Sequence, residues 1–585
     1  MRLTDTQAQM LAAVAEWPDH LLASPSIPLG ALSRCADLHG SSDHHTLSRS
    51  KSGSACTMRL FITCTLAFLL PVLACSGSAQ AQSLSIAVQQ EPTSVDPHFH
   101  YTAPNNQLAR HVFDNLIHTD ARLQPTPGLA ESWRIIDDQT WEFSLRRGVT
   151  FHDGTPFTAE DVAFTFQRVP QVQNSPGSFA LFTRGKTVTI LDPHTIRITT
   201  AGPYPLMLND LGMIAIVSRR AAEGAATDQF NSGRAAIGTG PFRFVEFRPG
   251  ERVELAANDA YWGGRQEWRQ VTIRLIRANP TRVAGLLAGQ VDVIDHVPTT
   301  DVTRLRGTPG VSVVQVPSSY VVFLSVDSNR DVTPHVRDNL GRPMHPNPLR
   351  DARVRRALSL AVNRDGVVER IMDGAAVPAG QLVQEGFHGF DPALRPDPFD
   401  PGRARAMLAQ AGYPEGFQLT LHSPNDRYVN DGRIAEAVAQ MFTRIGVRTT
   451  LETYTRNVFF TRATSGGELG TPEFSVYLTA FPANGEALSA LTATLATQNL
   501  AAGLGTNNRG RYSNVRLDAR IALASRTNDD AARGRILAEA QRIAMEDAAL
   551  IPLHFQMNTW ALRGPLAMTG RADESAFAFD IKRQR

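Results

Sequence analysis

The chain has 585 residues, 42% hydrophobic and 19% charged, with 43 Gly and 36 Pro. That mixture excludes a collagen-like, coiled-coil or wholly disordered chain, and the length calls for two to four lobes rather than one core. The 58 basic and 56 acidic residues leave a net charge of +2, far too little for a surface that holds nucleic acid, so no nucleic-acid partner is expected.

Cys35, Cys56, Cys64 and Cys75 are the only cysteines. Everything after residue 75 therefore lacks a disulfide, a thiolate metal site and a cysteine nucleophile. Lysine is confined to Lys51, Lys186 and Lys582, the remaining basic residues being Arg.

Residues 1–57 are rich in Ser, His and Asp, show no sustained periodicity, and read as lying upstream of the true start. At Met58-Arg59 a second beginning opens into an apolar run from Leu60 to Ala74 and then Ser78-Ala79-Gln80-Ala81. A short basic segment, an apolar stretch and an A-x-A site make a cleavable signal peptide over 58–81, with Gln82 as first mature residue. Pro71 and the run's length argue against a spanning anchor. Val72-Leu73-Ala74-Cys75 leaves lipidation at Cys75 as an alternative. The protein is expected to work outside the cytoplasm, in the periplasm.

Along the mature chain, alternation marks strands at Leu84–Val88, Trp141–Leu145, Thr195–Ile198 and Val271–Leu275. Thr158-Ala159-Glu160-Asp161 opens a helix with a capping box. Val354, Ala357, Leu358, Ala361 and Val362 form an apolar helical stripe. Asp400 caps a helix that begins with Pro401 and ends at Gly412. The strand Phe417–His422, the stripe Ile434, Val438, Met441, Phe442 and Ile445, and the strand Val447–Glu452 read as a βαβ unit. A late helix carrying Ile536, Leu537, Ala540, Ile543 and Ala544 leads to a strand over Leu550–Phe555. The fold class is α/β, with several lobes and ligands expected between them.

No catalytic signature emerges. Gly185-Lys186-Thr187 lacks the earlier Gly of a P-loop, that position being Ala180, and reads as a turn. Asp153-Gly154 before Thr155-Pro156 is turn chemistry, so His152 and Asp153 read as structural. His98 and His100 alternate beside Glu91 and Asp96, which admits a metal reading, but they read better as two surface histidines in a loop. No enzyme, cofactor or metal is expected.

The runs Val112–Leu116, Pro127–Trp133 and Trp141–Val162, followed by Gly238-Thr239-Gly240-Pro241-Phe242, Asp351–Arg364 and Ile551-Pro552-Leu553, resemble extracellular solute-binding protein family 5. These are the peptide- and nickel-type receptors of ABC importers. The resemblance implies a two-lobe, hinged periplasmic-binding-protein fold with a small extra domain on the first lobe. By that pattern lobe I takes 83–120, 236–325 and 555–585, the small domain 121–235, and lobe II 326–554. It implies a monomer that closes over a short peptide or peptide-like solute and then docks on an ABC permease. Trp133, Trp141 and Phe151 are then core residues.

Peptide-binding members pair the ligand ammonium with a carboxylate in a segment matched here by Leu478–Ala487. That segment holds no Asp, so either Glu486 takes the role or the solute has no amine, as in an oligosaccharide, an opine-like conjugate or a metal chelate. A plain helix-start acid is the bland reading of Glu486. Asn484 and Phe481 join it as ligand candidates. Arg427 and Tyr428, just after the strand 417–422, could clamp a carboxylate and stack, unless Arg427 is tied to Asp426 or Asp431. His98, His100 and Tyr101 follow the first strand, and Ser319 and Tyr320 sit near the expected crossover. An exported hydrolase or chaperone is the alternative of another class, opposed by the missing catalytic motifs.

The signal-peptide reading is open to intact-mass analysis. Exported protein should begin at Gln82, or carry lipid on Cys75, and a soluble form retaining 58–81 would refute it.

Overall fold

The computed structural model describes residues 82–584; the signal segment, Cys75 and residues 1–57 lie outside the described residues. One mixed sheet of twelve strands runs through the molecule, joined by a separate antiparallel sheet of four. In one half of the large sheet, the apolar strand Ser83–Val88 lies between Gln270–Leu275 and Val293–Ile294, parallel to both. Buried on both faces, such a strand has to be nearly all apolar, as Leu84, Ile86, Ala87 and Val88 are. The hairpin Phe242–Arg248/Arg252–Ala257 continues this half outward.

The other half is built on Phe417–Pro424, parallel to Val447–Tyr454 and to Val476–Pro482. The helix Asp431–Arg444 makes the crossover between the first two, burying Ile434, Val438 and Phe442 against Leu421 and Val476. The expected βαβ unit is present, its first strand running two residues further, to Pro424.

Two long strands, Val311–Val326 and Ile551–Arg563, carry the sheet from one half to the other. They pair antiparallel from Val311 opposite Arg563 to Leu324 opposite Ile551, but the register breaks between Pro317 and Val321 and again between Val322 and Phe323. Pro317 brings no N–H to the ladder, which makes it a natural place for the interruption. Before the break, the second strand also pairs with Val293–Ile294; beyond it, the first strand pairs with Val476–Pro482. The chain therefore bends where it passes between halves.

The strand expected over Leu550–Phe555 continues to Arg563. Its extension holds Gln556, Asn558 and Thr559, which are polar yet buried, so its hydropathy pattern looks like a loop.

The four-stranded sheet runs in the order Ala130–Asp137, Thr140–Leu145, Thr195–Thr199, Thr187–Asp192. It buries Phe143, Ile196 and Ile198 together with Val162 and Phe166 of the helix Ala159–Arg168. At that helix's start the Asp161 carboxylate accepts from the Thr158 N–H at 3.0 Å and from the Arg219 N–H at 2.9 Å. Asp400 likewise caps its helix by accepting from the Arg403 N–H at 2.8 Å.

Motif residues turn out to be struts between these parts. The His152 ring receives the Gly238 N–H at Nδ1, 3.3 Å, and donates from Nε2 to the Gly240 carbonyl, 3.1 Å. Its partners are backbone, as expected of a structural histidine. Gly240 lies so close to the end of the helix Ala103–Val112 that a Cβ there would sit 2.6 Å from the Val112 carbonyl carbon. Gly148 has a φ of 73° but open space around it. Gly240→Ala should therefore cost about 1–3 kcal/mol or more through overpacking, and Gly148→Ala about 1 kcal/mol through backbone strain alone. Denaturant melts of the two variants check the order.

Candidate functional site

Between the two halves of the large sheet lie two adjoining cavities of about 210 and 960 Å³. Gln90, His296, Arg427, Arg456 and Glu574 line both, so they form one cleft. One wall is built from the segment leaving the first strand, from Tyr101 before the helix Ala103–Val112, and from His296–Thr300. The opposite wall is the loop Asp426–Asn430 and Arg456, where the second half's parallel strands end; such strand ends are where open α/β sheets gather ligand groups. Tyr320 and Gln556, from the two crossing strands, also line it.

The charges on these walls are unevenly paired. Asp431 accepts the backbone N–H groups of Arg427, 3.0 Å, and Tyr428, 2.9 Å, while Asp426 accepts the Arg456 N–H at 2.6 Å. Both acids that could have neutralised the Arg427 guanidinium are thus committed to turning the loop. That guanidinium instead lies 5.0 Å from the centre of the Tyr428 ring and 5.7 Å from that of Tyr320. Burial opposes its charge, but Tyr320, Tyr428 and Glu574 outweigh burial and raise its pKa. Neither Arg427 nor Arg456 has a carboxylate in ion-pair contact with its guanidinium among the described residues.

The acids of the facing wall do have cations. His296 reaches Asp295 at 3.0 Å and Glu574 at 3.7 Å, Arg571 reaches Asp573 at 3.0 Å, and Arg277 reaches Glu91 at 2.6 Å. Burial disfavours a charged His296, yet Asp295 and Glu574 together hold it protonated up to about 10. Three residues lining the cleft, His296, Asn430 and Glu574, have φ of 43°, 56° and 68°. Such conformations cost roughly 1–3 kcal/mol each and gather at ligand sites. Asn430 also bridges the cleft, donating to the Thr299 hydroxyl at 3.2 Å.

Of the residues expected from sequence, Tyr101, Tyr320, Arg427 and Tyr428 line this cleft. The suggested tie of Arg427 to Asp426 or Asp431 is corrected: those acids hold backbone, not guanidinium. Glu486 lines a separate cavity of about 340 Å³ and is nearly fully buried, with Oε2 accepting from Arg533 at 2.5 Å. It opens the helix Ala487–Thr494 without capping it. Burial pushes its carboxyl up to about 7, against the pull of Arg533. Asn484 sits beside the Tyr101 hydroxyl, and its carbonyl accepts from Asn209 at 3.1 Å. Phe481 packs against the apolar cluster around Val321 and Leu488 rather than lining the cleft.

The expectation of two surface histidines fails for His98, which is wholly buried. Its Nδ1 accepts from Arg168 and its Nε2 donates to the Ala215 carbonyl, both at 2.7 Å. Asp96 grips the same guanidinium at 2.6 Å. Burial and then Arg168 depress the His98 pKa to about 4, so it is a neutral strut. Ser319 is buried beside the crossing point. Sequence reasoning missed His296, Arg456 and Glu574, which come from three distant segments with no common motif.

The sequence profile of the bacterial extracellular solute-binding proteins, family 5, matches residues 124–497. Heme-binding protein A of Haemophilus influenzae is 27% identical over 545 residues, spanning 85% of this chain and 94% of the relative. Glutathione-binding protein GsiB of Salmonella choleraesuis is 26% identical over 504 residues, spanning 86% and 94%. The solved structure of HbpA2 from Haemophilus parasuis superposes with a TM-score of 0.74 at 22% identity, covering 86% of this chain and all of that one.

His296 supplies a test of the cleft's electrostatics. Its folded pKa is raised, so its stabilising contribution is complete below the ordinary imidazole value and is lost as pH rises through about 10. At about pH 8, where a free imidazole is neutral, the nitrogen NMR shifts of His296 should still report a protonated ring, and Glu574→Gln should lower its titration midpoint.

Proposed function

The chain belongs to family 5 of the bacterial extracellular solute-binding proteins, and from that we propose that it is the exported receptor of an ABC importer for an anionic, peptide-like solute. Solute enters the cleft between the halves of the large sheet, the halves close on it about the register break at Pro317–Val321, and the closed form docks as a monomer on the permease. The observation that carries the ligand class is the pair of guanidiniums, Arg427 and Arg456, left without carboxylates while the acids of the facing wall have cations. Arg427 is half-buried, and an unpaired cation there is costly until an anion joins it, whereas Arg456 stands exposed beside it. Arg427 presents a planar fork to a carboxylate, with Tyr320 and Tyr428 as flanking rings. Tyr101 closes the far end. That a relative is named for glutathione, a tripeptide rich in carboxylates, agrees with this class.

A second reading is an acid without a free amine. It is favoured because Asp295 and Glu574 already share His296, and because Leu478–Ala487 lacks the aspartate of the peptide-type pattern. The nature of the occupant separates the two: a copurified solute with an ammonium group supports the first, one without it the second.

Mass spectrometry of the solute that copurifies should find at least one carboxylate. Calorimetry with that solute should show Arg427→Ala losing roughly thirtyfold to several thousandfold in affinity, the cost of removing one member of a buried charged pair. Arg427→Lys should lose less, since an ammonium keeps the charge but not the fork. An occupant with no acidic group, or an Arg427→Ala protein that binds as wild type, overturns the assignment. Small-angle scattering should show a smaller radius of gyration with solute bound.

A further inference from the structure

Asn430 and Leu123 hold left-handed backbones, with φ of 56° and 62°, and each sends its side chain from one half of the molecule to the other. Asn430 precedes the helix Asp431–Arg444 of the second half, yet its side chain makes no capping bond, the ordinary use of an asparagine at that position. Its amide nitrogen donates instead to the Ile371 carbonyl of its own half, 2.8 Å, and to the Thr299 hydroxyl of the facing wall, 3.2 Å. Thr299 opens the helix Thr299–Arg306, whose Val302 and Leu305 pack with Ala87 and Ile294 of the first half.

Leu123 crosses in the opposite direction. It lies in the turn between the paired strands Ile117–Thr119 and Pro125–Pro127. Arg571 donates to the Thr119 and Asp120 carbonyls at 3.2 and 3.0 Å, and the Ala572 N–H to the Ala121 carbonyl at 2.9 Å. These bonds tie the turn to the C-terminal segment, whose Ala576 and Ile581 pack with Leu84 of the first half. The Leu123 side chain is nevertheless buried in an apolar cluster with Ala483, Ala487 and Leu488 of the second half. The backbones meet closely there: a Cβ on Gly485 would lie 2.6 Å from the Leu123 carbonyl oxygen, and Gln124 donates to the Gly485 carbonyl at 3.3 Å.

Glycine adopts such a backbone freely, whereas a leucine is strained in it. The strain at Leu123 is offset by what its side chain buries, and Asn430 gives up its cap for what its amide reaches. Both gains depend on the halves being together. We propose that the Asn430–Thr299 bond and the Leu123 side chain are closing contacts built into the protein, so that the halves come together without solute and solute binds to a closed form already populated. This rests on the hinged reading of the cleft and not on the charge of its solute.

Pulsed dipolar EPR on the solute-free mature protein tests the proposal. Residues 82–585 contain no cysteine, so Arg265→Cys and Ala406→Cys, at exposed positions on the first and second halves, place one spin label on each. Two interspin distances should be resolved, the closed one matching this structure. Asn430→Gly and Thr299→Val should each lower the closed-to-open ratio about two- to tenfold, the worth of one hydrogen bond. The two together should lower it no further than Asn430→Gly alone. Leu123→Gly should lower it about tenfold or more. The proposal is overturned by an open distance alone in the wild type, a closed one that no variant shifts, or additive effects of Asn430→Gly and Thr299→Val. A Leu123→Gly protein that melts at a lower temperature with its distances unchanged also overturns it. Small-angle scattering with and without the copurified solute tests the hinge itself, so that failure of these contacts and failure of the hinge are told apart.

Discussion

The pairing of Val311–Val326 with Ile551–Arg563 is what makes two lobes one molecule. These strands join segments of chain more than two hundred residues apart into a ladder that is shared by both halves of the sheet. Because backbone hydrogen bonds are obligatory once buried, the ladder holds the halves in register; because it breaks beside Pro317, it leaves one place where they can bend. A cleft follows from that arrangement, and its walls are the strand ends and loops that the two halves turn toward each other.

Electrostatics then decides what the cleft can hold. Loop turning consumes Asp426 and Asp431 through backbone N–H groups, and the acids of the facing wall are paired with His296, Arg571 and Arg277. The same carboxylates that shape the walls are unavailable to Arg427 and Arg456. Tyrosine rings beside Arg427 support a cation in a half-buried place without neutralising it. In the proposed reading an anion completes this surface, so that a carboxylate-bearing solute suits it better than a neutral or cationic one.

Glu486 and His98 illustrate how burial redirects residues that look functional. Glu486 is drawn into a pair with Arg533 away from the cleft, its other oxygen buried without a protein partner. His98 is caught between Arg168 and a backbone carbonyl, with no proton to exchange in the ordinary imidazole range. In each case the partner is an arginine tens of residues away in sequence, so neither role is visible locally.

By itself the sequence determined the class of fold, the main strands and helices, and the family. Those depend on short-range physics: alternation for Ser83–Val88, the 3.6-residue stripe of Asp431–Arg444, the proline and capping aspartate at residues 400–401, and motif runs whose order survives in one chain. It also brought forward Arg427 and Tyr428, because a strand end can be placed from the pattern, and Tyr101 and Tyr320 through the lobe arrangement that the family resemblance implies. Tertiary structure alone decided that His296, Arg456 and Glu574 meet around Arg427, that Glu486 does not, and that polar residues 556–559 form a buried strand. These are statements about which distant groups share a dielectric environment and a hydrogen-bond partner, and no local periodicity carries that information.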